Sequence, residues 1–120
     1  MMTPQNEIQT PLDRRQHPRF ALNRSVSLHL SRWSSLEVLG HDISQGGIRL
    51  SLPCVVAAGE QVTVGLTLPN ELQLSLDAEV RFVSAGTRPG ECIAGLRWLD
   101  TQADDVEMLN QVIADLQLSA

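Results

Sequence analysis

The chain has 120 residues, of which 42% are hydrophobic and 19% charged, a composition typical of a globular domain and not of a disordered chain. Its net charge of −5 argues against DNA or RNA as the main partner, because the broad positive field that drives phosphate-backbone binding is missing. The sequence shows neither an apolar run of transmembrane length nor the features of a signal peptide. We therefore expect one domain that works in the cytoplasm without membrane insertion.

The cysteines and histidines indicate no metal site. Cys54 and Cys92 are far apart, without CxxC spacing and without a nearby histidine, so we expect reduced, structural thiols and no disulfide framework. The three histidines, His17, His29 and His41, lack metal-like spacing. No nucleophile is paired with a base, so the sequence does not predict an enzyme.

Taken in chain order, residues 1–12 are polar and aperiodic, and we expect a flexible leader. The next segment, residues 13–20, contains Arg14, Arg15 and Arg19, three of the nine basic residues in an acidic protein. Arginine presents a planar fork of donors that matches phosphate oxygens or the O6/N7 edge of guanine. The segment therefore predicts an anionic or guanine-like ligand, although short arginine clusters are also common on solvated surfaces.

Period-two alternation of apolar residues then predicts six short strands, which together form a barrel spanning residues 25–99. The strands are expected at 25–30, 35–43, 48–52, 62–68, 72–82 and 92–98. The fifth is long enough to bend and serve two sides of the barrel. Trp98 is expected in the core.

After Asp100 the period becomes helical, which predicts a C-terminal α-helix over residues 102–118. Thr101 followed by Asp104 resembles a capping box. The predicted fold class is therefore a six-stranded antiparallel β-barrel with a C-terminal α-helix, since closing the sheet removes exposed edges.

A second polar motif, Asp42–Gly47, lies at the turn between the second and third strands. A carboxylate such as that of Asp42 can accept both N–H donors of a guanine Watson–Crick edge, and the Ser44 hydroxyl can bond beside it. Glycine lets the backbone approach a flat base and supplies positive φ cheaply. Aspartate, serine and glycine are also ordinary turn residues, so an entirely structural interpretation stays open at this point.

Together the two segments follow the pattern RRxxxR…DxSxxG, filled here by Arg14, Arg15, Arg19, Asp42, Ser44 and Gly47. This pattern resembles that of the PilZ domain family, bacterial receptors for cyclic di-guanosine monophosphate (cyclic di-GMP). The last predicted strand is similar to the family's closing strand, with Trp98 where phenylalanine is more usual. The family fold, a six-stranded antiparallel β-barrel with a C-terminal helix, agrees with the fold that the periodicity predicts. The resemblance implies a PilZ domain over residues 13–120.

The resemblance also implies a mechanism for the named residues. Arg15 and Arg19 would grip phosphates and guanine Hoogsteen edges, Asp42 and Ser44 would bond to the opposite guanine edge, and Gly47 would keep the turn compact. An arginine at the position of Arg14 goes with an intercalated ligand dimer, so two ligands per chain are expected.

The resemblance favours a stand-alone cyclic di-GMP receptor in the bacterial cytoplasm, with no cofactor or metal. Its arginine segment would become ordered over the ligand, and it would signal through an unidentified protein partner. The processes implied are motility, pilus function, biofilm polysaccharide synthesis and virulence control. The alternative is a scaffolding or adaptor protein on the same fold, acting by protein contact without nucleotide. Neither hypothesis involves a nucleic-acid polymer.

Overall fold

The computed structural model describes residues 18–31, 34–68 and 71–119, and the statements below concern those ranges. The 1–12 leader, Arg14, Arg15 and the residues at 69–70 lie outside them. The described chain contains six strands and one helix, in the order Phe20–Ser31 (β1), Ser34–Ile43 (β2), Gly47–Pro53 (β3), Gln61–Thr67 (β4), Gln73–Ala85 (β5), Glu91–Trp98 (β6) and Ala103–Ser119 (α1).

The six strands form a closed antiparallel barrel in the order β1-β2-β3-β6-β5-β4. Closure is made by β1 and β4, where Leu28 lies opposite Val64. A closed barrel leaves no strand edge free to pair with another chain. The predicted fold class is confirmed.

The barrel interior is filled by the aliphatic side chains of the alternating strands. Successive side chains of a strand point to opposite faces, so every second residue faces inward. Ile43, Ile48, Leu50 and Val64 are fully buried. Each such side chain contributes about 1.5–3 kcal/mol when it leaves water, so the strands give rigid support to the residues that point outward.

The first strand begins at Phe20, five residues before the expected start at Ser25. The extension pairs with the end of β2, where Ala21 lies opposite Asp42. Asn23 within it has φ of 48°, a left-handed conformation that asparagine tolerates better than most residues. As a consequence, the chain just after the arginine segment runs alongside the second motif.

Strand β5 bends to serve two neighbours, as its length predicts. Gln73–Glu79 pair with β4, and Ala78–Ala85 pair with β6. The predicted alternation is wrong at its end, because the register shifts between Val80 and Phe82. A bulge of this kind adds one residue and turns the following side chain to the other face. Phe82, the last residue of the apolar alternation in the predicted strand, is therefore 46% exposed.

The C-terminal helix packs its apolar face on the barrel, with Leu109 and Val112 among its buried residues. The capping contact was predicted between Thr101 and Asp104 but is made one residue later. The backbone N–H of Gln102 donates to the Asp105 carboxylate at 3.0 Å. Within the described ranges, no helix is long and apolar enough to cross a membrane.

The two cysteines form a disulfide, so the prediction of reduced thiols is wrong. Cys54 and Cys92 are 38 positions apart, and their Cα atoms are separated by 5.2 Å. Strand register explains the proximity: Leu52 lies opposite Cys92, and the Cys54 N–H donates to the Gly90 carbonyl at 3.0 Å. Sequence spacing alone does not reveal which strands are neighbours.

Candidate functional site

One residue from each predicted motif meets the other at the end of the β1–β2 pair. Arg19 immediately precedes β1, and Asp42 is the penultimate residue of β2. Arg19 Nη1 donates to Asp42 Oδ1 at 2.7 Å. The Asp42 side chain is only 14% exposed. A short, partly desolvated ion pair is stronger than one fully in water, so this contact fixes the carboxylate in place.

A third charged residue, Arg49 in β3, completes this cluster and was not predicted. Its Nη2 lies 2.7 Å from Asp42 Oδ2, so each carboxylate oxygen has one arginine. Arg49 lies opposite Asp42 in the β2–β3 pairing. The signal in the sequence was alternation: Arg49 stands between Ile48 and Leu50, which face inward, and so it must face outward.

A cavity of about 470 Å³ opens beside the cluster, between the start of β1 and the bulge of β5. Its two arginines and one aspartate carry a formal charge of +1 together. The aromatic ring of Phe82 lies directly over Gly95, where a Cβ atom would overlap the ring. A flat aromatic face beside guanidinium groups suits a ligand with a planar base and anionic groups. The cavity is lined by Arg19, Phe20, Ala21, His41, Asp42, Arg49 and Phe82.

The turn that follows Asp42 is held by its own serine. Ser44 Oγ accepts from the backbone N–H groups of Gly46 and Gly47 at 3.0 and 3.2 Å. The Ser44 N–H donates to the Gly47 carbonyl at 2.9 Å. Ser44 is 4% exposed, so its hydroxyl is largely committed to the turn, in agreement with the structural interpretation left open above.

Gly47 has a packing role in this turn. It does not adopt positive φ, and a Cβ at this position would overlap the Leu96 carbonyl of β6. The close approach of β3 to β6 therefore requires a glycine here. Trp98 supports the same turn: its buried indole Nε1 donates to the Ser44 carbonyl at 3.1 Å. Trp98 is in the core, as predicted.

A family model described as the PilZ domain matches residues 13–115 of the sequence. The chain belongs to the PilZ domain family. No curated protein sequence matches it. Both motif segments, residues 13–20 and the Asp42–Gly47 turn, fall inside the matched range.

Solved PilZ structures share this fold. The "PilZ domain with c-di-GMP of YcgR from Escherichia coli" aligns with a TM-score of 0.71 at 18% identity, covering 88% of this chain and 93% of that one. The Bacillus subtilis inhibitor of motility, MotI/DgrA, aligns at 0.67 and 24% identity, covering 88% and 52%. The complex of MrkH with c-di-GMP from K. pneumonia aligns at 0.69 and 18%, covering 88% and 53%. This chain spans about half the length of the latter two.

The structure describes only some of the PilZ motif residues. Arg19 and Asp42 line the cavity, Ser44 and Gly47 form the turn that follows Asp42, and Arg14 and Arg15 fall outside the described residues. His41 lines the cavity, and its Nε2 is 2.8 Å from Ser51 Oγ. In the part of the chain that the structure describes, no three histidine, cysteine or acidic residues group as metal ligands would.

Proposed function

We propose that this PilZ domain is a receptor for cyclic di-GMP, which binds in the cavity beside Asp42. The observation that carries the proposal is the 2.7 Å contact between Arg19 and Asp42, one residue from each motif, 23 positions apart in the sequence. The contact lines a cavity that also offers the exposed ring of Phe82. Further support comes from structural neighbours described as complexes with c-di-GMP.

Asp42 is suited to bind guanine even while it holds two arginines. A carboxylate has about four acceptor sites, and each oxygen of Asp42 has one arginine contact. One acceptor site per oxygen is left, which matches the adjacent N1–H and N2–H donors of a guanine edge. Adenine presents an acceptor at N1, so the same carboxylate would disfavour it.

The arginine segment would supply the grip on the phosphates. We expect Arg15 and Arg19 to bind phosphate oxygens and guanine Hoogsteen edges when the segment folds over the ligand. Ordering the chain costs roughly 1–2 kcal/mol per residue, so several charge-assisted contacts must act together. With Arg14 beside them, we propose an intercalated ligand dimer, that is, two molecules per chain.

Ordering of the arginine segment would also transmit the signal to a protein partner. It changes the charge and shape of the surface beside the barrel, and an unidentified protein partner would respond to that change. We propose that this occurs in the bacterial cytoplasm, in the control of motility, pili, biofilm polysaccharide or virulence. One neighbour is described as an inhibitor of motility and another as a transcription regulatory factor that depends on c-di-GMP.

Isothermal titration of the full chain with cyclic di-GMP tests the proposal, with cyclic di-AMP as the control ligand. We expect saturable binding specific for the guanine ligand, near two molecules per chain. A stoichiometry of one molecule per chain would support the receptor function but contradict the intercalated ligand dimer. Arg15→Ala should weaken binding sharply, and an unchanged affinity would remove that residue from the site. If cyclic di-GMP does not bind at high micromolar concentration, the receptor function is contradicted and the scaffolding function is favoured.

A further inference from the structure

The charge of the cavity depends on a residue that belongs to neither motif. Asp42 offsets the charge of Arg19, with which it forms an ion pair. Without Arg49, the described lining of the cavity would have no net charge. Cyclic di-GMP carries two negative charges, and a cavity lining with no net charge would attract them less than one with a net positive charge.

Arg49 is placed to act on a ligand as well as on Asp42. Its side chain is 48% exposed and lines the cavity from β3, across Asp42 from Arg19. The guanidinium group has five N–H donors in a planar fork. The contact between Arg49 Nη2 and Asp42 Oδ2 holds the guanidinium group at the cavity. Its remaining N–H donors are therefore already oriented before a ligand binds.

We propose that Arg49 is a ligand-binding residue of this domain and donates to a phosphate oxygen of the cyclic dinucleotide. The inference rests on the proposed function and adds a fourth arginine to the three of the N-terminal segment, this one contributed by a strand of the barrel. Because Arg49 lies on a strand, its position is set before the ligand arrives. A preformed cation loses less conformational freedom on binding than one on a segment that must first fold.

Competition between Arg49 and the ligand would change the affinity in the opposite direction. If Arg49 competed with guanine for the Asp42 carboxylate, its removal would tighten binding. The spare acceptor site on each Asp42 oxygen argues against competition, because arginine and guanine do not need the same one. The positive charge of the cavity also favours a ligand contact.

Four variants separate these roles: Arg49→Ala, Arg49→Lys, Arg49→Gln and, as control, Arg97→Ala. Arg97 is matched in character, since it is 54% exposed, lies on a barrel strand and pairs with Glu79 at 3.2 Å, but it does not line the cavity. Affinity for cyclic di-GMP is measured by calorimetry at 50 and 500 mM NaCl. The melting temperature of each variant establishes that it is folded.

We expect Arg49→Ala to weaken binding about tenfold at 50 mM NaCl, since a charge-assisted bond at a half-exposed site is being removed. The loss should shrink at 500 mM, where exposed charges are screened within about 3–5 Å. Arg49→Lys should recover most of the affinity and Arg49→Gln little of it. Arg97→Ala should stay within about twofold of the unmodified protein.

Three results would overturn the inference. Equal or tighter binding by Arg49→Ala would show that the residue is idle or competes for Asp42. Better rescue by glutamine than by lysine would show that Arg49 only positions the carboxylate. A loss that does not depend on salt would exclude a charge contact. All three require the unmodified protein to bind cyclic di-GMP, and if it does not, the proposed function itself fails.

Discussion

Two carboxylates on the outer face of this barrel are each flanked by two arginines, and they differ in their surroundings. Asp42 is 14% exposed and meets Arg19 and Arg49 at 2.7 Å each. Glu79 is 29% exposed and meets Arg81 and Arg97 at 3.5 and 3.2 Å. The first group lines a cavity beside the bulge of β5, whereas Glu79 does not line that cavity.

The comparison shows that residue type does not identify the site. Both groups have the same charges, and ion pairs at exposed positions contribute about 0–1 kcal/mol to stability. What distinguishes Asp42 is geometry: short contacts, a half-enclosed space and an aromatic ring within it. Each charged residue of the Asp42 group therefore has a matched control in the Glu79 group.

The largest expected effect concerns the strand pair that supports both groups. Arg49 is on β3 and Arg97 on β6, and the Cys54–Cys92 disulfide joins the far end of this pair. Closing a loop of 38 residues restricts the unfolded chain by about 4 kcal/mol. We expect reduction, or Cys54→Ser with Cys92→Ser, to lower the free energy of unfolding by that order, measured by urea denaturation.

Ligand affinity of the folded protein should not change in the same experiment, because the disulfide does not line the cavity. An identical unfolding curve with and without reductant would show that the bond does not form. The experiment also bears on location, since disulfides are rare where glutathione and thioredoxin keep thiols reduced. Cytoplasmic localisation stays a prediction.

The next effect compares the two carboxylates directly. Asp42→Asn places an N–H₂ group where guanine presents donors, and we expect cyclic di-GMP affinity to fall about 100-fold, from the loss of two charge-assisted bonds. The two arginines left without a carboxylate would attract phosphate more strongly. At their exposure, that gain is about 1 kcal/mol or less, so the loss dominates.

Glu79→Gln should leave the affinity within about twofold under the same conditions. Titration of both variants with cyclic di-GMP and cyclic di-AMP is the measurement. If Asp42→Asn and Glu79→Gln behave alike, Asp42 does not bind guanine. If Asp42→Asn loses affinity but keeps its full preference for guanine, the carboxylate supports the site without discriminating between bases.

A smaller effect is expected from the aromatic ring. Stacking of a base on an aromatic side chain contributes about 1–3 kcal/mol, so Phe82→Ala should weaken binding about tenfold. Leu39→Ala is the control, because Leu39 is 44% exposed against 46% for Phe82 and lies outside the cavity. Phe82→Trp should restore the affinity. Equal losses of affinity for Phe82→Ala and Leu39→Ala, again measured by calorimetry, would show that the Phe82 ring does not contact the ligand.

The fold was largely predictable because alternation and helical periodicity are local signals. All six strands and the helix are confirmed, with ends shifted by a few residues. The ends depend on strand pairing: β1 extends back to Phe20 because Ala21 pairs with Asp42 on the adjacent strand β2. The disulfide was missed for a related reason, since only the neighbourhood of β3 and β6 places Cys54 beside Cys92.

The site was predictable where it rests on motifs and was missed where it rests on geometry. Arg19 and Asp42 were expected to act together, and they are in contact. Phe82 continues the apolar alternation of its strand, and the bulge after Val80, which turns its ring to the cavity, leaves no mark in the hydrophobic pattern. Arg49 was detectable only as an outward residue opposite Asp42, which requires the strand pairing to be known.

The smallest expected effect involves a third carboxylate, Glu37, which is bonded by hydroxyl groups instead of guanidinium groups. Ser27 donates to Oε2 at 2.7 Å and Ser25 to Oε1 at 2.8 Å. These bonds, that of Ser27 first, lower the pKa of Glu37 below its ordinary value of 4.5 despite a small opposing effect of burial, and the charge of His29 lowers it slightly further. A lowered folded-state pKa means that ionised Glu37 stabilises the folded state.

This contribution is fully present above the ordinary pKa and is lost as pH falls through the lowered one. The difference in unfolding free energy between the unmodified protein and Glu37→Gln should therefore be constant from pH 7 to about 5 and shrink below about 4.5. Ser27→Ala, which removes the largest cause, should give the same trend. Since the serine bonds involve no charge pair, most of the difference should persist at 500 mM NaCl, unlike the ligand contact of Arg49. A difference that salt abolishes would assign the pKa effect to His29 instead.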